Sequence, residues 1–160
     1  MTEKLVAEKN TKRVNRMFQD SFLNIPMYFR DFLIDLSTAC STEKTVFNLI
    51  MAVGFDLQMS GTKYLLRIIV KCVNDLHCPV RTQDYYRIVT RESGLNQKAV
   101  EIAVSRAIGA INLGKIKELN RLLGGNVIHL GAITAGDFLS GVCTRLILLK
   151  CHQEGKTFFA

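Results

Sequence analysis

Residues 85–111, YYRIVTRESGLNQKAVEIAVSRAIGAI, constrain the fold of this chain more than any other segment. Val100, Ala103, Val104, Ala107, Ile108 and Ile111 recur at i, i+3, i+4, i+7, i+8 and i+11, which places all six on one stripe of an α-helix. Gln97, Lys98, Glu101, Ile102, Ser105 and Arg106 fall on the other side. Ahead of them Tyr85, Tyr86 and Val89 form a shorter apolar stripe, and Ser93-Gly94-Leu95 supplies the break. A short helix, a Gly-containing turn and a longer amphipathic helix are the ingredients of a helix-turn-helix, whose second helix can lie in the DNA major groove. An ordinary αα-hairpin inside a helical bundle has the same pattern. The spacing therefore predicts two helices and leaves their use open.

Charge bears on that use once it is located. Residues 1–43 carry six basic and six acidic side chains, which cancel, whereas residues 44–160 carry 15 basic and eight acidic ones. The whole net charge of +7 thus belongs to the part that contains the two helices. A basic domain favours a polyanionic partner, although many basic proteins of this size bind no nucleic acid. At 160 residues one domain is expected, with appended helices at most. No apolar run approaches the roughly 20 residues that span a bilayer, so no membrane partner is expected. The opening MTEKLVAEKN lacks the apolar core of a signal peptide, which points to the cytoplasm.

Little in the sequence suggests catalysis. There is no Gly-rich phosphate loop, HExxH, G-x-S-x-G or carboxylate pair at a fixed helical spacing, and His77, His129 and His152 are scattered. The five cysteines, Cys40, Cys72, Cys78, Cys143 and Cys151, are odd in number and contain no C-x-x-C. Cys72, His77, Cys78 and the Cys151-His152 pair have no zinc-like spacing and read as buried intracellular thiols. Neither an enzyme nor a metal or other cofactor is expected.

Along the chain, Val14, Phe18, Phe22 and Ile25 give an amphipathic helix that stops at Pro26. A second apolar segment follows, with Met27, Tyr28, Phe29, Phe32, Leu33 and Leu36, and residues 37–42 read as a linker or cap region. These aromatic faces need a surface to cover them, either the basic domain or a second copy. An apolar helix from Lys44 to Val53 ends at Gly54, and Ser60 is a candidate cap for the next, whose buried face is Leu65, Ile68, Ile69 and Cys72. Lys63, Arg67 and Lys71 stack on its outside at i, i+4 and i+8. Thr82 is a candidate cap for the first helix of the motif. Gly114 is expected to break the chain before a short helix containing Ile116, Leu119, Leu122 and Leu123, with Lys115, Lys117 and Arg121 on its polar side. Residues 126–133 read as a loop or hairpin, with 126–130 the single hint of strand. Thr134-Ala135-Gly136-Asp137 resembles a capping box and opens a final helix to about Lys150. Its wide apolar arc predicts deep burial or a dimer interface.

These residues resemble the C-terminal DNA-binding domain of the stage zero sporulation response regulator family. The likeness covers about residues 46–150. It begins in FNLIMAVGFDLQMSGTKYLLRII, where Gly54, Gly61, Tyr64, Leu65 and Ile69 carry the match, and continues without gaps over residues 85–104, with Val100, Glu101 and Ala103 coinciding. GKIKELNRLLG and TAGDF follow in the places of a Gly-x-Ile segment and a capped last helix. The resemblance implies an all-α bundle of about six helices containing a helix-turn-helix, with a helical extension at 1–43, the effector-like domain at 44–152 and a tail at 153–160. It implies a DNA-binding transcriptional regulator that acts on tandem boxes through head-to-tail contact, hence a homodimer on double-stranded DNA. The recognition helix would span residues 97–112. Gln97, Lys98, Glu101, Ile102, Ser105 and Arg106 would form its reading face, with Lys115 and Lys117 as basic neighbours on phosphates.

Two departures qualify what is carried over. Ile102 and Ser105 stand where the family has arginines after the shared Glu, which removes the commonest bidentate readers of guanine and predicts altered specificity. About 43 residues precede the domain, too few for a receiver, so no phosphorelay switch in cis is expected and neither Asp31 nor Asp35 reads as a phosphoacceptor. The competing expectation is a degenerate helix-turn-helix that binds a protein, such as another regulator, through Ile102 and the N-terminal aromatics.

Overall fold

A computed structural model describes residues 36–123, 128 and 133–153. The described residues form six α-helices and no strand, so the chain is all-α. The helices are α1 (Ala39–Val53), α2 (Ser60–Asp75), α3 (Thr82–Ser93), α4 (Gln97–Gly109), α5 (Leu113–Leu122) and α6 (Ala135–Gln153). The expected helices before residue 36, the strand at 126–130 apart from residue 128, and the end of the tail lie outside the described residues.

α2 is the hub. Its buried residues Leu65, Ile68, Ile69, Cys72 and Val73 meet α1, α3, α4 and α6, while α5 packs on α1. A helix touched on several sides needs apolar residues over much of its circumference, and α2 keeps Lys63, Arg67, Lys71 and Asp75 as a single charged exposed row. Lys71 pairs with Asp75 at 3.1 Å along that row. α6 buries Phe138, Leu139, Val142, Cys143, Leu146, Ile147 and Leu149, so its wide apolar arc is core of the chain itself. The Phe138 ring meets Phe55 edge-on at 5.6 Å between centroids.

The helix ends show which local signals prevailed. Gly54 and Gly94 close α1 and α3 with φ of 92° and 69°, a left-handed cap that costs a glycine little. Thr134 caps α6, its Oγ1 accepting from the Asp137 N–H at 3.1 Å. α1 begins at Ala39, earlier than Lys44, because Thr38 and Ser41 form a reciprocal capping box with two bonds of 3.0 Å. Ser60 and Thr82 are not caps. Met59 and Arg81 hold those positions in extended backbone with no side-chain bond, and the two hydroxyl residues are the first helical residues. Gly114 does not break the chain either. Asn112 accepts from the Lys115 N–H at 2.9 Å and starts α5 before it, which also ends α4 at Gly109 and not near 112. At the far end of α5 the Arg145 guanidinium donates to the Leu123 carbonyl, and burial lowers that guanidinium's pKa.

One close approach sets the position of α4. Gly61 lies in the first turn of α2, and a Cβ there would run into the backbone carbonyl of Ala103 and stand 3.0 Å from the Ala107 Cβ. Only a residue without a side chain allows α2 and α4 to come this close. Val100, Val104, Ala107 and Ile108 are buried along the contact face, with Ala103 and Ile111 partly so.

Candidate nucleic-acid interface

α3 and α4 are joined by three residues, Gly94-Leu95-Asn96, and each makes the turn in a different way. The Gly94 N–H closes α3 on the Thr90 carbonyl at 2.9 Å. Ser93 Oγ donates to the Val89 carbonyl at 2.7 Å and accepts from the Leu95 N–H at 3.3 Å. Asn96 Oδ1 accepts from the Lys98 N–H at 2.8 Å, which caps α4. With its inner stripe held against α2 and α3, α4 has one orientation, and its remaining face is fixed in space.

Around α4, Lys98, Ile102, Ser105 and Arg106 are exposed and follow one another at i, i+4, i+7 and i+8. Ile102 keeps 42% of its surface at the centre of that polar face. Gln97 and Glu101 are half-buried on the flank. There Glu101 borders an open groove of about 400 Å³ with Thr82, Tyr86, Ser105 and Thr134. Burial, and then the nearby Glu101 charge, push the Tyr86 hydroxyl pKa up. Both effects oppose a second negative charge in the groove.

Lys115 and Lys117 are exposed on α5, on opposite sides of its buried residue Ile116. Lys115 pairs with Glu118 at 3.4 Å, and its Cε lies near Gly54 at the carbonyl end of α1, where a cation is favourable. The structure thus brings Lys98, Ile102, Ser105 and Arg106 onto one face, sets Gln97 and Glu101 beside it, and gives Lys115 local partners. The Tyr86–Glu101 groove had no sequence signal, since its walls come from three helices and periodicity reports only one helix at a time.

Three of the five cysteines, Cys72, Cys78 and Cys143, form a separate cluster with Tyr85 of α3. Cys78 Sγ lies 3.2 Å from Tyr85 Oη and 3.3 Å from Thr144 Oγ1. A hydrogen bond with Cys72, and then burial, push the Cys143 thiol pKa well up. Burial, followed by the Cys78 hydrogen bond, does the same to the Tyr85 hydroxyl. The raised value favours the protonated form of Cys143, whereas the thiolate is the reactive and metal-binding form. Among the described residues no group of three or more His, Cys, Asp and Glu side chains is arranged to hold a metal ion. Nor is any described helix long and apolar enough to cross a membrane.

Comparison with known proteins adds no relative. No protein-family model, curated protein or solved structure matches the chain.

Proposed function

We propose that this chain is a sequence-specific DNA-binding regulator that reads base edges with α4. The observation that carries the reading is the exposed Lys98–Ile102–Ser105–Arg106 face on a helix held rigid from behind. An α-helix with its side chains is about 10–12 Å across and the major groove about 12 Å wide, so one exposed face suffices for reading. In this reading Lys98 and Arg106 contact phosphate or guanine, Ser105 bonds either kind of base edge, and Ile102 packs on a thymine methyl. Glu101, on the flank, takes a cytosine amino group at the edge of the footprint. Lys117 and Lys115 serve as phosphate contacts only where the duplex bends towards α5. The regulator acts from the cytoplasm as a homodimer on paired boxes, and no catalytic step is assigned to it.

The test is binding of the full chain to duplex DNA with Lys98, Glu101 and Arg106 all changed to alanine. Loss of sequence discrimination in a folded triple variant supports the reading face; wild-type affinity and discrimination would remove it. A second reading rests on Ile102 itself. An exposed isoleucine where DNA readers of this resemblance carry arginine suits a protein-binding helix that pairs with another regulator. Ile102→Arg separates the two: a gain in DNA affinity with the fold intact counts against the protein-binding role.

A further inference from the structure

A second groove, of about 290 Å³, runs between α1 and α2. Its floor is apolar, made by Phe47 from α1 and by Leu66 and Val70, four residues apart on α2. Phe47 keeps 41% of its surface, and so does Met51 one turn further along α1. The rim is charged in two halves, with Arg67 and Lys71 on α2 and Glu43 and Glu92 from α1 and α3. Asn74 also lines the groove, and its Oδ1 is buried with no hydrogen-bond partner among the described residues. Native proteins rarely leave such an acceptor without a donor. An apolar floor and a two-signed rim together describe a seat for an amphipathic segment.

The chain carries such a segment outside the described residues. Val14, Phe18, Phe22 and Ile25 recur at i, i+4, i+8 and i+11, a helical spacing in the sequence, with Arg13 and Arg16 before Asp20. The point of attachment is close. Leu36 is fully buried; its N–H donates to Gln153 Oε1 at 3.0 Å and its carbonyl accepts from Thr42 Oγ1 at 3.4 Å, beside the first turn of α1. Phe47 lies eight residues along α1 from Ala39, about 12 Å at the helical rise. The ten residues between Ile25 and Leu36 can extend over roughly 33 Å, enough to pass around a helix and return to the groove. The charges also match in kind, with Asp20 opposite in sign to Arg67, and Arg13 and Arg16 to Glu43 and Glu92, while Lys71 keeps its pairing with Asp75.

We propose that residues 14–25 dock in the α1–α2 groove of the same chain, setting Phe18 and Phe22 on Phe47, Leu66 and Val70. The bundle then supplies the apolar surface that this stripe cannot supply for itself. The experiment places a benzophenone amino acid at position 47 of the full chain, mixes unlabelled with ¹⁵N-labelled protein, irradiates, and maps cross-linked peptides by mass spectrometry. The expected result is cross-linking into residues 14–25 within single-isotope products, with a yield independent of concentration. Val70→Asp, at a half-buried position, lowers that yield roughly tenfold by placing a carboxylate under the docked stripe, in protein whose far-ultraviolet circular dichroism and urea midpoint show it folded, and exposed Arg67→Glu on the rim lowers it as well. The same probe at Leu113, exposed on α5, gives no cross-link to residues 14–25. Mixed-isotope products would assign the groove to a second copy and overturn the proposal. Cross-links confined to other segments, or none from position 47, would overturn it as well.

Discussion

Gly61→Ala is the sharpest test of how α4 is held. A Cβ at this position would stand 2.5 Å from the Ala103 carbonyl carbon, where ordinary contact needs about 3.4 Å. The carbonyl oxygen stands nearer still, so α4 would have to retreat by more than about 1 Å along a face that buries Val100, Val104 and Ala107. The obstacle is backbone, so no side-chain rotation relieves it. Overpacking of this kind costs about 3 kcal/mol, at the upper end of the usual range. Alanine restores about 1 kcal/mol of helix propensity, which leaves a net loss of about 2 kcal/mol. For a domain of this size that lowers Tm by about 4–8 °C. Gly109→Ala is the matched control, because a Cβ there meets nothing within 4 Å. It should be neutral or stabilising by up to about 1 kcal/mol. Urea unfolding followed by far-ultraviolet circular dichroism measures both, with the midpoint moving and the slope unchanged. If Gly61→Ala is as stable as the parent, the close packing of α2 on α4 is not what positions the outward face.

Other expectations follow from single contacts. Asn120 lies buried and donates to the Ile128 carbonyl at 2.8 Å while accepting from the Ile128 N–H at 2.7 Å; Asn120→Ala should cost about 2–4 kcal/mol in the same urea assay, and less than 1 kcal/mol would contradict the paired bonds. Tyr85 and Tyr86 have raised hydroxyl pKa values, so their neutral forms contribute stability that is complete below about pH 10 and is lost as pH rises through the raised folded values. An ultraviolet titration should therefore show both tyrosines ionising only with alkaline unfolding, not before it. Cys40 is exposed whereas Cys72 and Cys143 are buried; a thiol reagent should modify Cys40 rapidly in the native protein and the buried pair only after denaturant is added. Lys98→Ala and Arg106→Ala should each lower the steepness of log affinity against log salt by about 1, with no change in stability beyond about 0.5 kcal/mol.

Much of this fold was legible because its strongest signals are local. The stripe from Val100 to Ile108 could be read from spacing alone, as could the left-handed glycines at 54 and 94 and the Thr134 cap. The misplaced boundaries share a cause: several residues nearby could cap, and tertiary contacts chose among them. Thr82 is the first residue of α3, and its hydroxyl lies where it would block any Cβ at Gly136, so α6 packs directly on it. Asn112 displaced Gly114 as the start of α5 because a side-chain acceptor satisfies a free N–H and a glycine cannot. At α1 the capping residue at N3 is Ser41, so the usual S/T-x-x-E signature was missing. The outward residues of α4 were also readable, since they are what remains once the buried stripe is assigned. The half-buried position of Glu101 against Tyr86, and the local pairing of Lys115 with Glu118 beside Gly54, depend on how separate helices meet and have no trace in periodicity.

The most direct test of the DNA-reading account is fluorescence anisotropy of the full chain with duplexes selected from a random-sequence pool, against scrambled copies, across a salt series. The account predicts enrichment of a defined box bound roughly 1000-fold or more tightly than its scrambled copy at physiological salt, with discrimination lost in the Lys98, Glu101 and Arg106 triple-alanine variant. Binding that is weak, abolished by modest salt and indifferent to sequence would contradict it, and would leave the exposed Ile102 face to a protein partner.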